Sequence, residues 1–172
     1  MKIKSPKFII CLAISMLLIE SHLVAQERTY HEPDGKNYWY LEIGGAAFLY
    51  SLNYEKLLMR TETLGWTGRV GVGYGFTDRT FLNKIKLEPN QVLAPFTTSI
   101  LLGGKDRKEK IEIGAGFTLV ATSPTNREIV PTGVLGFRVI DDNQMCLRIG
   151  YTPFFRNKQY QSWFGVSLGQ FF

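Results

Sequence analysis

Few groups in this sequence could carry acid–base or nucleophilic chemistry. The 172 residues include two histidines, His22 and His31, and two cysteines, Cys11 and Cys146. A hydrolase built on a serine or cysteine nucleophile needs an imidazole or comparable base within hydrogen-bond reach to take the proton. His22 and Cys11 lie in a segment that reads as removable. His31 stands in a polar stretch, seven residues before the first predicted strand, where nothing holds it against a serine. Cys146 is left alone, so the exported chain can form neither an intrachain disulfide nor a cysteine-based metal cluster. No phosphate loop, zinc pattern or calcium loop appears, and no cofactor is expected. The remaining candidates are charges. Glu42, Glu55, Arg69, Glu112, Arg138 and Arg148 fall, by strand alternation, on the inward side of their segments. Such a set makes either a structural ion-pair network or, alternatively, a proton or ion path, or a gate. The first is favoured, because isolated charges are costly to bury and a narrow interior must pair them.

The elements that would position these charges begin after an export signal. Lys2, Lys4 and Lys7 form a basic start, Phe8–Ile19 is an apolar run, and Leu23-Val24-Ala25 offers a small residue for cleavage. This is the three-part pattern of a secretory signal peptide over residues 1–25. The run is shorter than the roughly 20 residues a transmembrane helix needs. A cytosolic enzyme is thereby excluded, and no cysteine follows the run to accept a lipid. Residues 26–37 are polar, with Pro33 and an Asp34-Gly35 turn signal, and read as a flexible leader. Residues 38–172 read as one domain. The full chain carries 20 basic and 15 acidic residues. Part of that excess leaves with the signal peptide, and no basic face interleaves with the aromatics, so nucleic acid is not an expected partner.

From Tyr38 onward, short apolar-aromatic segments alternate with turn residues, without a helical period. The eight segments are Tyr38–Ala46, Ser51–Leu58, Gly65–Thr77, Gln91–Gly103, Lys110–Ala121, Ile129–Ile140, Gln144–Arg156 and Tyr160–Phe172. Residues two apart on a strand share a face. Val70, Val72, Tyr74 and Phe76 thus oppose Arg69, Gly71, Gly73 and Gly75, and Ile111, Ile113, Ala115, Phe117 and Leu119 oppose Glu112, Gly114, Gly116 and Thr118. One face is large and apolar; the other is mostly Gly, Ser and Thr with an occasional charge. All 17 glycines follow residue 25. A water-facing strand gains nothing from a dense glycine face, whereas the interior of a narrow eight-stranded barrel requires small residues. The expected fold is therefore all-β: an eight-stranded antiparallel up-and-down transmembrane barrel with its apolar face in lipid. A soluble periplasmic lipid-binding β-barrel, with the faces reversed, is the alternative.

The connections fit this scheme in part. With both strand termini periplasmic, Asp78–Asn90, Thr122–Glu128 and Asn157–Gln159 face outward, and Asp141–Asn143 is a tight inward turn. The first connection, Ala47–Tyr50, is short and unusually apolar for an outward loop. The charge run Gly104–Lys110 reads as a solvated turn. Asp78, Arg79, Lys84, Lys86 and Glu88 could meet lipopolysaccharide phosphates, although their mixed signs suit an ordinary loop. Tyr38, Trp39, Tyr40, Trp66, Phe154, Phe155, Tyr160 and Trp163 lie near strand ends, where amphipathic rings suit the lipid interface.

The last segment ends in Phe172, preceded at alternate positions by Leu168, Val166 and Phe164. This resembles the C-terminal signal of bacterial outer-membrane barrels that the barrel-assembly machinery reads, with Gln170 where a hydrophobic residue is usual. Together with the signal peptide, the chain resembles small eight-stranded barrels of the OmpA/OmpX type. The runs Leu41–Lys56, Ile111–Phe117, Leu147–Phe155 and Trp163–Phe172 are similar to a group of outer-membrane barrel proteins from diderm bacteria. That resemblance implies a fold and a bacterial outer-membrane location, with outer-membrane lipid and lipopolysaccharide as surroundings. The resemblance carries no activity, and the expected state is a monomer. The expected role is structural or surface-interaction. Alternatives are a lipid-modifying barrel enzyme, which would need His31 brought to a serine at the rim, and a narrow channel, which would need an unfilled lumen.

Overall fold

The computed structural model describes residues 35–75, 80–81, 85–86, 90–123, 125–156 and 159–172. The segment read as a signal peptide, most of the segment read as a leader, His31 and most of the Asp78–Asn90 connection lie outside these residues. Eight strands form the wall: β1 (Asn37–Gly44), β2 (Tyr50–Arg60), β3 (Leu64–Gly75), β4 (Gln91–Leu102), β5 (Glu109–Ala121) and β6 (Arg127–Ile140). β7 runs Met145–Tyr151 and resumes at Phe154–Arg156. β8 runs Gln159–Gln161 and resumes at Phe164–Phe171. Each strand pairs antiparallel with its chain neighbour, and β1 pairs with β8 from Tyr38↔Phe171 to Gly44↔Gly165, which closes the ring. Closure satisfies the edge hydrogen bonds that an open sheet would leave bare.

The wall is turned inside out relative to a water-soluble protein. Leu41, Ile43, Ile129 and Phe164 are each 66% or more exposed, whereas Glu42, Glu112, Arg138 and Arg148 are 0% exposed. Inward glycines make room for large polar neighbours. A Cβ at Gly169 would overlap the Trp39 carbonyl and the Tyr40 side chain, so a bulkier residue there would displace the Tyr40 ring from the lumen.

The interior has two zones. At the end where the strands meet the short connections, Tyr38, Tyr40, Ile140 and Cys146 pack together, with Phe171 against them. At the other end lies an apolar plug of Ala47, Phe48, Leu93, Val120, Val130, Phe154 and Trp163. The plug corrects the expectation of an outward first loop. Gly45–Ala47 forms a single 3₁₀ turn that folds into the barrel mouth, and Phe48 is 1% exposed. The Thr118 hydroxyl donates to the Ala46 carbonyl at 2.6 Å, and the Trp163 indole N–H donates to the Phe48 carbonyl at 3.0 Å. The fold of this turn explains its composition: apolar residues here are buried in the lumen.

The aromatic assignment also needs correction. Trp39, Trp66, Phe155 and Tyr160 face outward, but Tyr38, Tyr40, Phe154 and Trp163 point into the lumen. Strand phase is the reason: Tyr38 and Tyr40 alternate in step with Glu42, and Trp163 in step with Ser167. Lys110 likewise leaves the solvated charge run, because β5 begins at Glu109 and its alternation puts Lys110 in step with Glu112. Lys110 is 1% exposed and donates to the Gly104 carbonyl at 2.6 Å.

Candidate functional site

The six inward charges of the sequence analysis come from β1, β2, β3, β5, β6 and β7, and the wall's curvature aims them at the barrel axis. All six are buried, none more than 3% exposed. Arg138 donates two hydrogen bonds to Glu55, at 2.7 and 3.3 Å, and a third to Glu112 at 2.7 Å. Arg148 spans Glu112 and Glu42, at 2.5 and 2.6 Å. Arg69 lies 3.6 Å from Glu42 and donates to the Thr97 hydroxyl at 2.6 Å and the Tyr40 hydroxyl at 2.7 Å. The result is a continuous alternating chain, Glu55–Arg138–Glu112–Arg148–Glu42–Arg69, running across the lumen. Three carboxylates face three guanidinium groups, so the chain is neutral as a whole.

Smaller polar residues complete the set. Ser99 donates to the free oxygen of Glu112 at 2.8 Å, and Ser167 lies within hydrogen-bond reach of both Glu42 and Arg148. Tyr40, Thr97, Ser99, Ser167 and Lys110 were not singled out by the charge-based reading. For Tyr40, Ser167 and Lys110 the signal is phase, since each shares its strand's inward alternation with a charged residue or an inward glycine; β4 carries neither, so only its alternation with Gln91 places Thr97 and Ser99 inside. Gly45 lies over the Glu42 carboxylate so closely that a Cβ there would overlap it, which couples the plug to the network beneath.

This arrangement is built to fill and stiffen. Guanidinium–carboxylate pairs in low dielectric are strong when every lone pair and N–H has a partner, and costly when one is removed. At the termini end, a space of about 20 Å³ lies beside Tyr38, Glu55 and Arg138. That is room for about one water. Among the described residues, no group of three or more His, Cys, Asp or Glu could hold a metal ion. Cys146 is buried, and the Tyr38 hydroxyl donates to its backbone carbonyl at 3.0 Å. Phe164, Val166, Leu168 and Phe172, the residues expected to form an insertion signal, stand on the opposite side of the wall and are between 48% and 66% exposed.

Outside the lumen, the short connections are tied to each other. Lys105 pairs with Glu62 at 2.8 Å, and Lys108 with Asp142 at 2.7 Å. The Lys105 ammonium holds the Glu62 carboxyl below the usual carboxylate range. The Asp141 carboxyl is lowered too, chiefly by the backbone N–H of Asp142.

This closed ring of eight antiparallel strands has a solved counterpart. The chain has the fold of a small outer-membrane barrel. The outer membrane protein Ail of Yersinia pestis, whose backbone structure was determined in a phospholipid bilayer nanodisc, superposes with a TM-score of 0.54. The match covers 81% of this chain and 100% of that one at 7% sequence identity. At that identity the likeness concerns the fold alone, and it agrees with the OmpA/OmpX-type architecture that the sequence resembles. No protein-family model and no curated protein matches the chain.

Proposed function

We propose that this protein is a monomeric barrel of the bacterial outer membrane with a structural or surface-interaction role. The observation that carries this reading is the inverted wall: apolar side chains outside, a neutral six-residue ion-pair chain inside. Water would penalise the first, and lipid the reverse. The ion pairs serve as a rigid filling, and the connections beyond β3 and β5 are the parts presented outward. Phe164, Val166, Leu168 and Phe172 form the strip that the barrel-assembly machinery reads during insertion. No catalysis is assigned; among the described residues the six inward charges pair with one another, although Glu42 Oε2, Arg69 Nη2, Arg138 Nε and Arg148 Nη2 are buried without a hydrogen-bond partner.

The test is fractionation of cells followed by gel electrophoresis of boiled and unboiled samples. The protein is expected in the outer-membrane fraction, with a mobility that shifts on boiling, because a closed barrel resists cold detergent. A soluble periplasmic protein with no shift would overturn the reading and reinstate the lipid-binding alternative with its faces reversed.

A further inference from the structure

On the outside of the wall, at the end bearing the longer connections, β4, β5 and β6 form a groove of about 600 Å³. Its floor is apolar and stepped. The paired alanine and valine at Ala121 and Val92 lie in register beside Arg127, and one step further down Ala94 lies in register with Leu119, which lies in register with Ile129. The next outward row below the groove is Phe96 and Phe117, whose rings stack 5.4 Å apart. At the top, Asn90, Thr122, Ser123 and Arg127 supply polar groups. Arg127 is exposed and forms no ion pair among the described residues, whereas its neighbour Glu128 pairs with Arg156 at 2.9 Å. The slot is thus charged at one end, hydroxylated at the rim and apolar along its floor.

We propose that this groove binds a phosphate-bearing acylated glycolipid of the outer leaflet, with the phosphate on Arg127 and an acyl chain lying over Ala121, Ala94 and Leu119. The inference rests on the outer-membrane reading above and names the lipid that the reading leaves open. Two features select this occupant. A guanidinium with no ion pair among the described residues suits a bidentate phosphate contact. The floor is continuous with the lipid-facing belt, so a chain can enter sideways from the bilayer, which a soluble ligand would have no reason to do.

The test uses the full-length protein in a neutral maltoside detergent, titrated with purified lipid A and examined by native mass spectrometry. One lipid A is expected on the wild type and on Arg127→Lys. Arg127→Glu should weaken binding about tenfold, and lipid A stripped of phosphate should weaken it to the same degree. Ala121→Trp, which fills the groove, should abolish it. Both substitutions alter outward positions, and a retained heat shift on gels shows that each variant still folds. Equal binding by wild type and Ala121→Trp overturns the proposal, as does full displacement of lipid A by inorganic phosphate alone. Incorporation into phospholipid vesicles reads the membrane assignment separately. A wild type that incorporates and heat-shifts but holds no lipid A sinks the groove and leaves the barrel standing; failure to incorporate sinks both.

Discussion

Arg138 and Arg148 stand directly opposite each other on neighbouring strands, a placement that is repulsive on an ordinary sheet. Glu112 makes it tenable by accepting from both. Glu112→Gln should therefore cost about 3–5 kcal/mol, the usual penalty for breaking a buried pair, read as a lower urea midpoint in vesicles. The joint replacement Glu112→Leu with Arg148→Met should cost less than the single change. A Glu112→Gln midpoint equal to wild type would remove the network from any role in stability. On the exposed side, Glu62 is held down by Lys105. A depressed folded pKa contributes stability above the unfolded value, and that contribution is lost as pH falls through the folded one. Lys105→Ala should raise the Glu62 titration midpoint in a side-chain NMR titration; no movement would break the assignment. At this scale the sequence reveals which side of the wall a residue occupies. It does not reveal partners across the lumen, because those depend on the radius and stagger of the closed ring. Tyr38 and Tyr40 show how residue type can mislead: their rings suggest an interface, while their phase with Glu42 sends them inward.

Among the elements, the Gly45–Ala47 turn carries the most constraint for its size. Gly44, Gly45 and Phe48 have φ of 76°, 65° and 68°, and a non-glycine residue such as Phe48 pays for that region. The plug's packing and its two hydrogen bonds hold it there. Gly45→Ala combines an unfavourable backbone with an overlap on the Glu42 carboxylate. It should destabilise the barrel by about 1–3 kcal/mol, seen as a heat-shift midpoint several degrees lower. An unchanged midpoint would mean the turn is not seated on Glu42. The apolar makeup of the first connection was visible in the sequence and looked anomalous for an exposed loop. Its inward fold was not legible, because a short apolar segment gives no periodicity from which to read a direction. The breaks in β7 and β8 at Thr152–Pro153 and Ser162–Trp163 were similarly hidden, since the alternation of faces runs through both without a slip.

For the molecule as a whole, the all-β closed barrel was legible from eight alternating segments and a glycine-rich inner face. The inverted wall predicts a specific optical result. In vesicles containing brominated acyl chains, Trp39 and Trp66 should be quenched and Trp163 should not, when each is studied in a variant retaining that tryptophan alone. Trp39 and Trp66 are 47% and 45% exposed on the outer wall, while Trp163 is 9% exposed inside the plug. Quenching of Trp163 alone would reverse the faces. In planar bilayers the plug and ion-pair chain together predict no steady conductance, and a reproducible open state would show that the filling moves aside.

The seam between β1 and β8 has a consequence for assembly. Glu42 and Ser167 face each other across it, yet 125 residues separate them in the chain. Contacts so distant in sequence carry a heavy loop-closure cost and form late. Until β8 arrives, β1 has one bare edge, and the ion-pair chain lacks the wall that encloses it. The strand translated first must therefore wait, shielded from other edges, for the strand translated last. Keeping that strand from pairing prematurely is a task that the barrel's own finished contacts cannot perform.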